Sequence, residues 1–68
     1  MMARIYYRDE QGVLMRILTE LSRRAIQLPY VLAINGCVHL RVEVTDKQKA
    51  QLLRAWKGIV GVTHVDTL

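Results

Sequence analysis

Residues 8–16 read Arg8-Asp9-Glu10-Gln11-Gly12-Val13-Leu14-Met15-Arg16, and they join an alternating strand pattern to a helical one. Asp9 is a short hydrogen-bond acceptor near the free N–H groups of the helix that follows, and Gly12 lets the backbone come close to another group. Such a junction can bind the carboxylate or phosphate of a small ligand. Because many strand-to-helix turns carry an acidic cap and a glycine without binding anything, this stretch by itself favours an ordinary turn.

The segments on either side extend both patterns. Residues 3–8 alternate, which predicts a half-buried strand with Ala3, Ile5 and Tyr7 on its buried face. Residues 13–24 predict a helix of about three turns, because apolar residues recur at helical spacing. The residues of this apolar stripe are Val13, Leu14, Ile17, Leu18 and Leu21.

The middle of the chain predicts two strands joined by a tight turn. The second strand covers residues 27–34 and contains Pro29, which lacks an N–H and therefore belongs at the edge of a sheet or at a bulge. Asn35-Gly36 predicts a two-residue hairpin. The third strand covers residues 38–44, with Val38, Leu40, Val42 and Val44 directed inward.

The last third of the chain predicts a helix and a final strand. Thr45 and Gln48 have the spacing of a capping box, which places the helix start at residue 45. The final strand covers residues 62–68. Val62 and Val65 are three residues apart, so a regular strand would place them on opposite faces, and the pattern does not determine which face is buried. Trp56, at helical spacing, is expected in the core or in an interface.

The resulting order is strand, helix, strand, strand, helix, strand. With right-handed crossovers this order predicts an α+β fold, the ferredoxin-like βαββαβ split sandwich, in which a four-stranded antiparallel sheet carries both helices on one face. The second strand then lies at an edge. The other sheet face stays open and is expected to carry six polar or aromatic residues: Arg4, Tyr6, Arg8, His39, Arg41 and Glu43.

Composition limits the possible classes of protein. The 68 residues are expected to form a single domain, residues 1–68, whose small core gains part of its stability from oligomerisation. Cys37 is the only cysteine and the two histidines are scattered, so we expect no internal disulfide, no metal site and a reducing, cytoplasmic setting. No membrane-spanning segment is expected. The net charge of +4 is spread along the chain, which is more typical of solubility than of nucleic-acid binding.

Two segments resemble a known family. Residues 9–17, after one strand and continuing to Leu21-Ser22-Arg23-Arg24, resemble the opening of an ACT domain, a small amino-acid-sensing regulatory module. Residues 57–65, Lys57-Gly58-Ile59-Val60-Gly61-Val62-Thr63-His64-Val65, are similar to the same segment in the small regulatory subunit of acetolactate (acetohydroxyacid) synthase. The resemblance implies a noncatalytic, cofactor-free subunit that forms a homodimer through its ACT domains. It also implies a partner, the thiamine-diphosphate-dependent large subunit that makes branched-chain amino-acid precursors.

The resemblance also implies an effector site between two chains. The loop and helix start of one chain would contribute Asp9, Gln11, Gly12 and Val13, and the second strand of the other chain would contribute Gln27 and Leu28. The N–H groups of Gly12 and Val13 would bind the carboxylate of a branched-chain amino acid, and Asp9 or Gln27 its ammonium group.

Three features depart from the full pattern of that family. Valine-sensitive members carry Asn at the positions of Asp9 and Gln27, and the usual glycine after the first helix is Ala25 here. One ACT domain alone is similar to the shortest, feedback-insensitive small subunits, which implies a subunit that activates its partner without sensing an effector.

Other functions are weighed on their own residues. A free-standing ACT sensor with another partner would use the same loop. An acylphosphatase-like hydrolase would use Arg16 for the phosphoryl group and Asn35 to orient water, but Asn35 is already explained by the hairpin. Nucleic-acid binding would use Tyr6 beside Arg4 and Arg41 on the open face, but the third strand offers no Phe, Tyr or Trp on which bases could stack.

Three further residue sets are expected to be structural. His39 and His64 are expected to be solvated or packed, and Cys37 to be unreactive because the sequence places no base near it. Tyr30 and Leu32 on the edge strand are candidates for a subunit contact, in which Pro29 would leave one N–H missing.

Overall fold

A computed structural model describes all 68 residues and contains four strands and two helices. In chain order they are β1 (Met2–Tyr7), α1 (Val13–Arg23), β2 (Tyr30–Ile34), β3 (Cys37–Arg41), α2 (Asp46–Lys57) and β4 (Val62–Thr67). The strands form one antiparallel sheet in the order β2-β3-β1-β4. The predicted ferredoxin-like α+β fold is confirmed, and β2 lies at the predicted edge.

The core lies between the helices and one face of the sheet. Twelve buried hydrophobic side chains form one cluster, to which every element except β2 and β4 contributes a fully buried residue. Trp56 of α2 has no exposed surface, and its indole N–H donates to the backbone carbonyl of Ile17 in α1 at 3.0 Å. Trp56 is therefore a core residue that ties the two helices together.

The hairpin between β2 and β3 has the predicted turn. Asn35 and Gly36 both have positive φ, at 36° and 82°, as a two-residue type I′ turn requires. Gly36 also lies against the sheet, because a Cβ there would sit 2.9 Å from the carbonyl oxygen of Tyr7. Two predicted strand bounds were wrong by three residues, since β2 begins at Tyr30, directly after Pro29, and β3 ends at Arg41. The other strand bounds agree with the predicted ones to within one residue.

A β-bulge explains the parity of the last strand. Tyr6 pairs with His64 but Tyr7 pairs with Val62, so Thr63 is an extra residue opposite β1. The bulge places both Val62 and Val65 on the side of the core, where both pack against it. The opposite parity of these two valines in the sequence is therefore a consequence of one inserted residue.

The helix ends follow different rules. Thr45 and Gln48 form the predicted capping box at the start of α2, with bonds of 2.9 and 3.1 Å. The start of α1 has Gly12 at the N-cap position with φ 87°, and no side chain caps it, so the expectation that Asp9 caps this helix was wrong. After α1, Ala25 adopts a left-handed conformation with φ 54°.

Candidate functional site

The loop between β1 and α1 is fixed by backbone hydrogen bonds. The Arg8 N–H donates to the Gly61 carbonyl at 2.8 Å, and the Glu10 N–H donates to the Arg8 carbonyl at 2.7 Å. The Arg8 and Glu10 side chains form an exposed ion pair at 3.2 Å. These contacts hold residues 8–10 against the turn before β4, while Asp9, Gln11 and Gly12 remain exposed.

The start of α1 presents free amide donors. The Val13 N–H is partly occupied, since it donates to the Glu10 carbonyl at 3.3 Å, and the first regular helical bond runs from the Arg16 N–H to the Gly12 carbonyl at 3.0 Å. The N–H groups of Gly12, Leu14 and Met15 have no partner within the chain. Together with the helix dipole, these donors favour an anionic group such as a carboxylate.

Gly12 leaves the space above these donors empty. A Cβ built on Gly12 meets no atom within 4 Å. Its positive φ places it in a region that L side chains rarely adopt, so glycine provides both the turn and the opening. The Val13 side chain points the other way, into the core.

The two segments that carry the family resemblance meet at this loop. Gly61, in the second segment, packs on Val13, in the first: a Cβ on Gly61 would lie 2.9 Å from a Val13 methyl group. Gly61 has a φ of 105° and accepts the hydrogen bond from Arg8. The second segment therefore supports the first one directly.

Tyr7 lies beneath the loop at the end of β1. It is buried within the core cluster, and this burial raises the pKa of the Tyr7 hydroxyl, with smaller contributions from Asp9 and Cys37. Tyr7 is therefore a core residue at the point where the loop begins.

Gln27 and Leu28 lie at the opposite end of the sheet. They precede Tyr30, which pairs with Arg41 of β3. Arg41 pairs on its other side with Met2, at the start of β1. The loop instead follows Tyr7, five residues further along, so the two groups are separated by about 17 Å of strand. One chain brings together Asp9, Gln11, Gly12 and Val13, but not Gln27 and Leu28.

The surface cavities of a single chain lie elsewhere. The largest is an open groove of about 670 Å³ along the outer side of α1, and the other two lie against β4 and beside Tyr30. None is lined by the six effector residues inferred from the sequence. In a single chain, the loop therefore presents free N–H groups on an open surface, and no cavity encloses a ligand there.

The open face of the sheet carries more polar residues than the sequence indicated. Arg4, Tyr6, His39 and Arg41 lie there as predicted, whereas Arg8 and Glu43 fall outside the strands. Register adds Cys37, His64 and Asp66 to this face. The sequence pattern did not place His64 and Asp66 on this face, because the bulge interrupts the alternation of β4.

These residues interact in pairs on the open face. His64 Nε2 lies 2.6 Å from Asp66 Oδ1, and the His64 ring lies 5.9 Å from the Tyr6 ring, tilted by 36°. Arg4 donates to the Tyr6 hydroxyl at 3.4 Å. This bond is the main reason that the pKa of Arg4 is raised above its ordinary value.

Cys37 has a base beside it, contrary to the expectation from the sequence. Its Sγ lies 3.6 Å from His39 Nε2. Residues two apart on a strand share a face, so the spacing of the two residues was a usable signal. No group of three or more potential metal ligands is present in the chain.

Comparison of the chain with known protein families and with curated protein sequences finds no match. Neither helix has the length and apolar character needed to cross a bilayer.

Proposed function

We propose that this chain is a noncatalytic regulatory subunit of the ACT type, the single-domain small subunit of an acetolactate synthase. In this proposal it acts in the cytoplasm as a homodimer, docks on the catalytic large subunit, and binds a branched-chain amino acid at the loop between β1 and α1. The thiamine-dependent chemistry belongs to the large subunit, and this chain changes how that subunit works.

The observation that supports the proposal most strongly is the contact between Gly61 and the start of α1. The family resemblance rests on two segments that are far apart in the sequence, residues 9–17 and 57–65. In the fold they meet at one place, through the Gly61 contact with Val13 and the bond from Arg8 to Gly61. Two segments that resemble the same family and also contact each other in the fold give better support than either resemblance alone.

The loop has the chemistry that an amino-acid ligand needs. A carboxylate placed over Gly12 would accept from the free N–H groups of Gly12, Leu14 and Met15, in the space that the missing side chain leaves. The Asp9 carboxylate is exposed three residues before Gly12, and its charge suits the ligand ammonium group. The apolar side chain of the ligand still requires a second wall.

A second copy of the chain can supply that wall. Gln27 and Leu28 lie at the far end of their own sheet, but an antiparallel pairing of two β2 edges would carry them to the hairpin end of the neighbouring chain. Tyr7 and Gly36 lie at that end, joined by a 2.8 Å bond from the Tyr7 N–H to the Gly36 carbonyl. The six residues inferred from the sequence can therefore form one site only in a dimer.

The experiment is a thermal unfolding series with valine, leucine and isoleucine in turn, because a ligand that binds only the folded state raises the midpoint by mass action. At 100 times the dissociation constant, the stabilisation is about 2.7 kcal/mol. We expect at least one of the three amino acids to raise the midpoint in a concentration-dependent way.

Gly12→Asp places a carboxylate where the ligand carboxylate would bind. The side chain fits, because nothing lies within 4 Å of the Cβ position, and Asp tolerates positive φ better than most residues. The matched control is Gly12→Asn, which has nearly the same shape and the same backbone strain but no charge. We expect Gly12→Asp to abolish the shift and Gly12→Asn to retain part of it.

Other outcomes would change the proposal. Equal loss in both variants would mean that shape or strain, rather than charge, disrupts the site. An unchanged shift in Gly12→Asp would remove the loop as the site. If no amino acid shifts the midpoint, the sensing part of the proposal is wrong, and co-purification with the catalytic subunit decides whether a docking role remains.

A further inference from the structure

The open face of the sheet carries an aromatic ring on every strand. The sequence pattern placed Tyr6 of β1 and His39 of β3 there, and the bulge brings His64 of β4 to the same face. Register adds Tyr30 of β2, which pairs with Arg41 and is exposed. Tyr30 also borders a shallow pocket of about 260 Å³ whose other lining residues are Met2, His39 and Arg41. Although β3 has no Phe, Tyr or Trp, the strands beside it supply rings.

Rings and guanidinium groups form a diagonal stripe across the four strands. Neighbouring strands are about 4.8 Å apart, and residues two apart on one strand are separated by about 7 Å. Tyr6 and Tyr30 are therefore roughly 17 Å apart, with both arginines of the face between them. In order across the sheet, the diagonal stripe consists of His64, Tyr6, Arg4, His39, Arg41 and Tyr30.

The two guanidinium groups of the diagonal stripe have no carboxylate partner. No salt bridge of the chain includes Arg4 or Arg41. Asp66 lies opposite Arg4 in the register, but its Oδ1 is held 2.6 Å from His64 Nε2. Arg4 donates to the neutral Tyr6 hydroxyl at 3.4 Å, and its Nε is buried without a hydrogen-bond partner. Both positive charges are therefore available to an anionic ligand.

The rings at one end of the diagonal stripe form a platform for a flat group. The centroids of Tyr6 and His64 are 5.9 Å apart, with the rings tilted by 36°. The His64 side chain is 61% exposed and Tyr6 is partly exposed, so solvent reaches both rings. Unpaired nucleobases stack on rings of this kind and on guanidinium planes.

We propose that the diagonal stripe binds a single strand of RNA. Bases stack on the platform of Tyr6 and His64 and on Tyr30, and the phosphates lie on the two arginines. A duplex fits poorly, because its bases are already stacked and paired. Asp66 favours RNA over DNA, since a ribose 2′-OH can donate to its carboxylate. This site goes beyond the proposed function and does not use the loop between β1 and α1.

A protein surface fits this face less well than RNA does. A second copy packed on it would bring two more guanidinium groups against Arg4 and Arg41, and an apolar surface would leave both charges unpaired. Burying a charge without a partner is costly. A nucleic-acid strand offers a phosphate and an aromatic base in every nucleotide, which matches the sequence of rings and cations along the diagonal stripe.

The salt dependence of binding tests the role of the arginines. The probe is a fluorescein-labelled single-stranded RNA of mixed sequence and about eight nucleotides, titrated with the full-length protein and followed by fluorescence polarisation. Each neutralised phosphate of a single strand contributes about −0.7 to the slope of log K against log salt concentration, so two arginines predict about −1.4. Arg41→Gln should reduce the slope to about −0.7. Arg54→Gln, at an exposed position of α2, removes the same charge away from the open face and should leave the slope unchanged.

A pair of variants at Tyr6 tests the role of stacking. Tyr6→Leu keeps an apolar side chain but removes the ring, and it should weaken binding roughly 5- to 150-fold at every salt concentration without changing the slope. Tyr6→Phe keeps the ring and should retain most of the affinity. Thermal unfolding of each variant confirms that the fold is intact.

Several results would overturn the proposal. One is the absence of saturable binding at roughly 10⁻⁴ M protein, where even non-specific complexes form. Equal slopes in Arg41→Gln and Arg54→Gln would show that RNA responds only to net charge. Full affinity in Tyr6→Leu, or equally tight binding of inorganic polyphosphate, would exclude base stacking, and tighter binding of single-stranded DNA of the same sequence would exclude RNA as the ligand. None of these results depends on whether the chain binds an amino acid.

Discussion

Ala25 has a backbone conformation that normally belongs to glycine. Its φ is 54°, directly after α1. The chain reverses there through two bonds, from the Ile26 N–H to the Leu21 carbonyl at 3.0 Å and from the Ala25 N–H to the Ser22 carbonyl at 3.1 Å. This pattern is a Schellman motif with Ala25 at the left-handed position, and buried Leu21 and Ile26 supply its hydrophobic contact. Replacing Ala25 by glycine should therefore stabilise the protein.

The size of the effect follows from two opposing terms. An L residue in the left-handed region costs about 1–2 kcal/mol, which glycine avoids. Glycine increases the backbone freedom of the unfolded chain, which costs about 0.4–1 kcal/mol. Ala25 is exposed, so no buried methyl group is lost. We expect the free energy of unfolding of Ala25→Gly to rise by about 0.5–1 kcal/mol.

Urea unfolding monitored by Trp56 fluorescence measures this difference. The midpoint should rise with an unchanged slope. In a domain of this size, 1 kcal/mol corresponds to about 4–8 °C, so the thermal midpoint should rise by roughly 2–8 °C. Protein concentration must be equal in all samples, because a dimer would make the midpoint depend on it.

The matched control is Ala50→Gly, at an exposed position inside α2. There the same substitution should lower the free energy of unfolding by about 1 kcal/mol, since glycine is unfavourable in a helix interior. Opposite signs for the two variants would support the left-handed assignment. A loss at Ala25 as large as the loss at Ala50 would show that residue 25 has ordinary helical or extended geometry.

Three other perturbations address the core and the support of the loop. Gly61→Ala should destabilise the protein by about 2–4 kcal/mol in urea unfolding, since it combines backbone strain with a clash on the Val13 methyl group. Trp56→Phe should cost about 1–2 kcal/mol, because the bond to the Ile17 carbonyl and part of the core volume are lost. Tyr7 should make stability fall with rising pH above its ordinary pKa of 10.0: burial raises the folded pKa, so only the unfolded chain ionises there. Tyr7→Phe should remove that part of the alkaline loss in unfolding midpoints measured across pH.

Each of these predictions has a result that would contradict it. Gly58 has right-handed helical geometry and room for a Cβ, so Gly58→Ala should be neutral or mildly stabilising. If Gly61→Ala behaved like Gly58→Ala, Gly61 would not pack on the loop. Unchanged stability in Trp56→Phe would remove the link between the helices, and equal alkaline losses with and without the Tyr7 hydroxyl would assign that loss to other groups.

Most of the fold could be predicted because its local signals agree with its tertiary contacts. Alternation in β1, the Asn35-Gly36 turn and the Thr45 capping box each determine backbone geometry through neighbouring residues, and all three are present. The face of β4 could not be predicted, because the bulge at Thr63 depends on pairing with β1. The conformation of Ala25 was missed for a similar reason: buried contacts impose it against the preference of the residue.

The candidate site could be predicted only in part. The loop and the position of Gly12 follow from the change of periodicity between β1 and α1. The support that Gly61 gives depends on a contact between residues nearly fifty positions apart, which one sequence does not reveal. The wrong expectation for Cys37 was avoidable, since Cys37 and His39 are two residues apart on one strand. In the proposed dimer, Gln27 and Leu28 would come from another chain, so neither the periodicity nor the fold of one chain could indicate their position in the site.

We propose that this chain regulates an acetolactate synthase. The most direct test of this proposal is the rate of acetolactate formation by a purified catalytic large subunit, measured with increasing amounts of this chain. We predict a saturable change in rate that follows formation of a complex between the two proteins. An unchanged rate, with no complex between the two proteins at any concentration tested, would contradict the proposal.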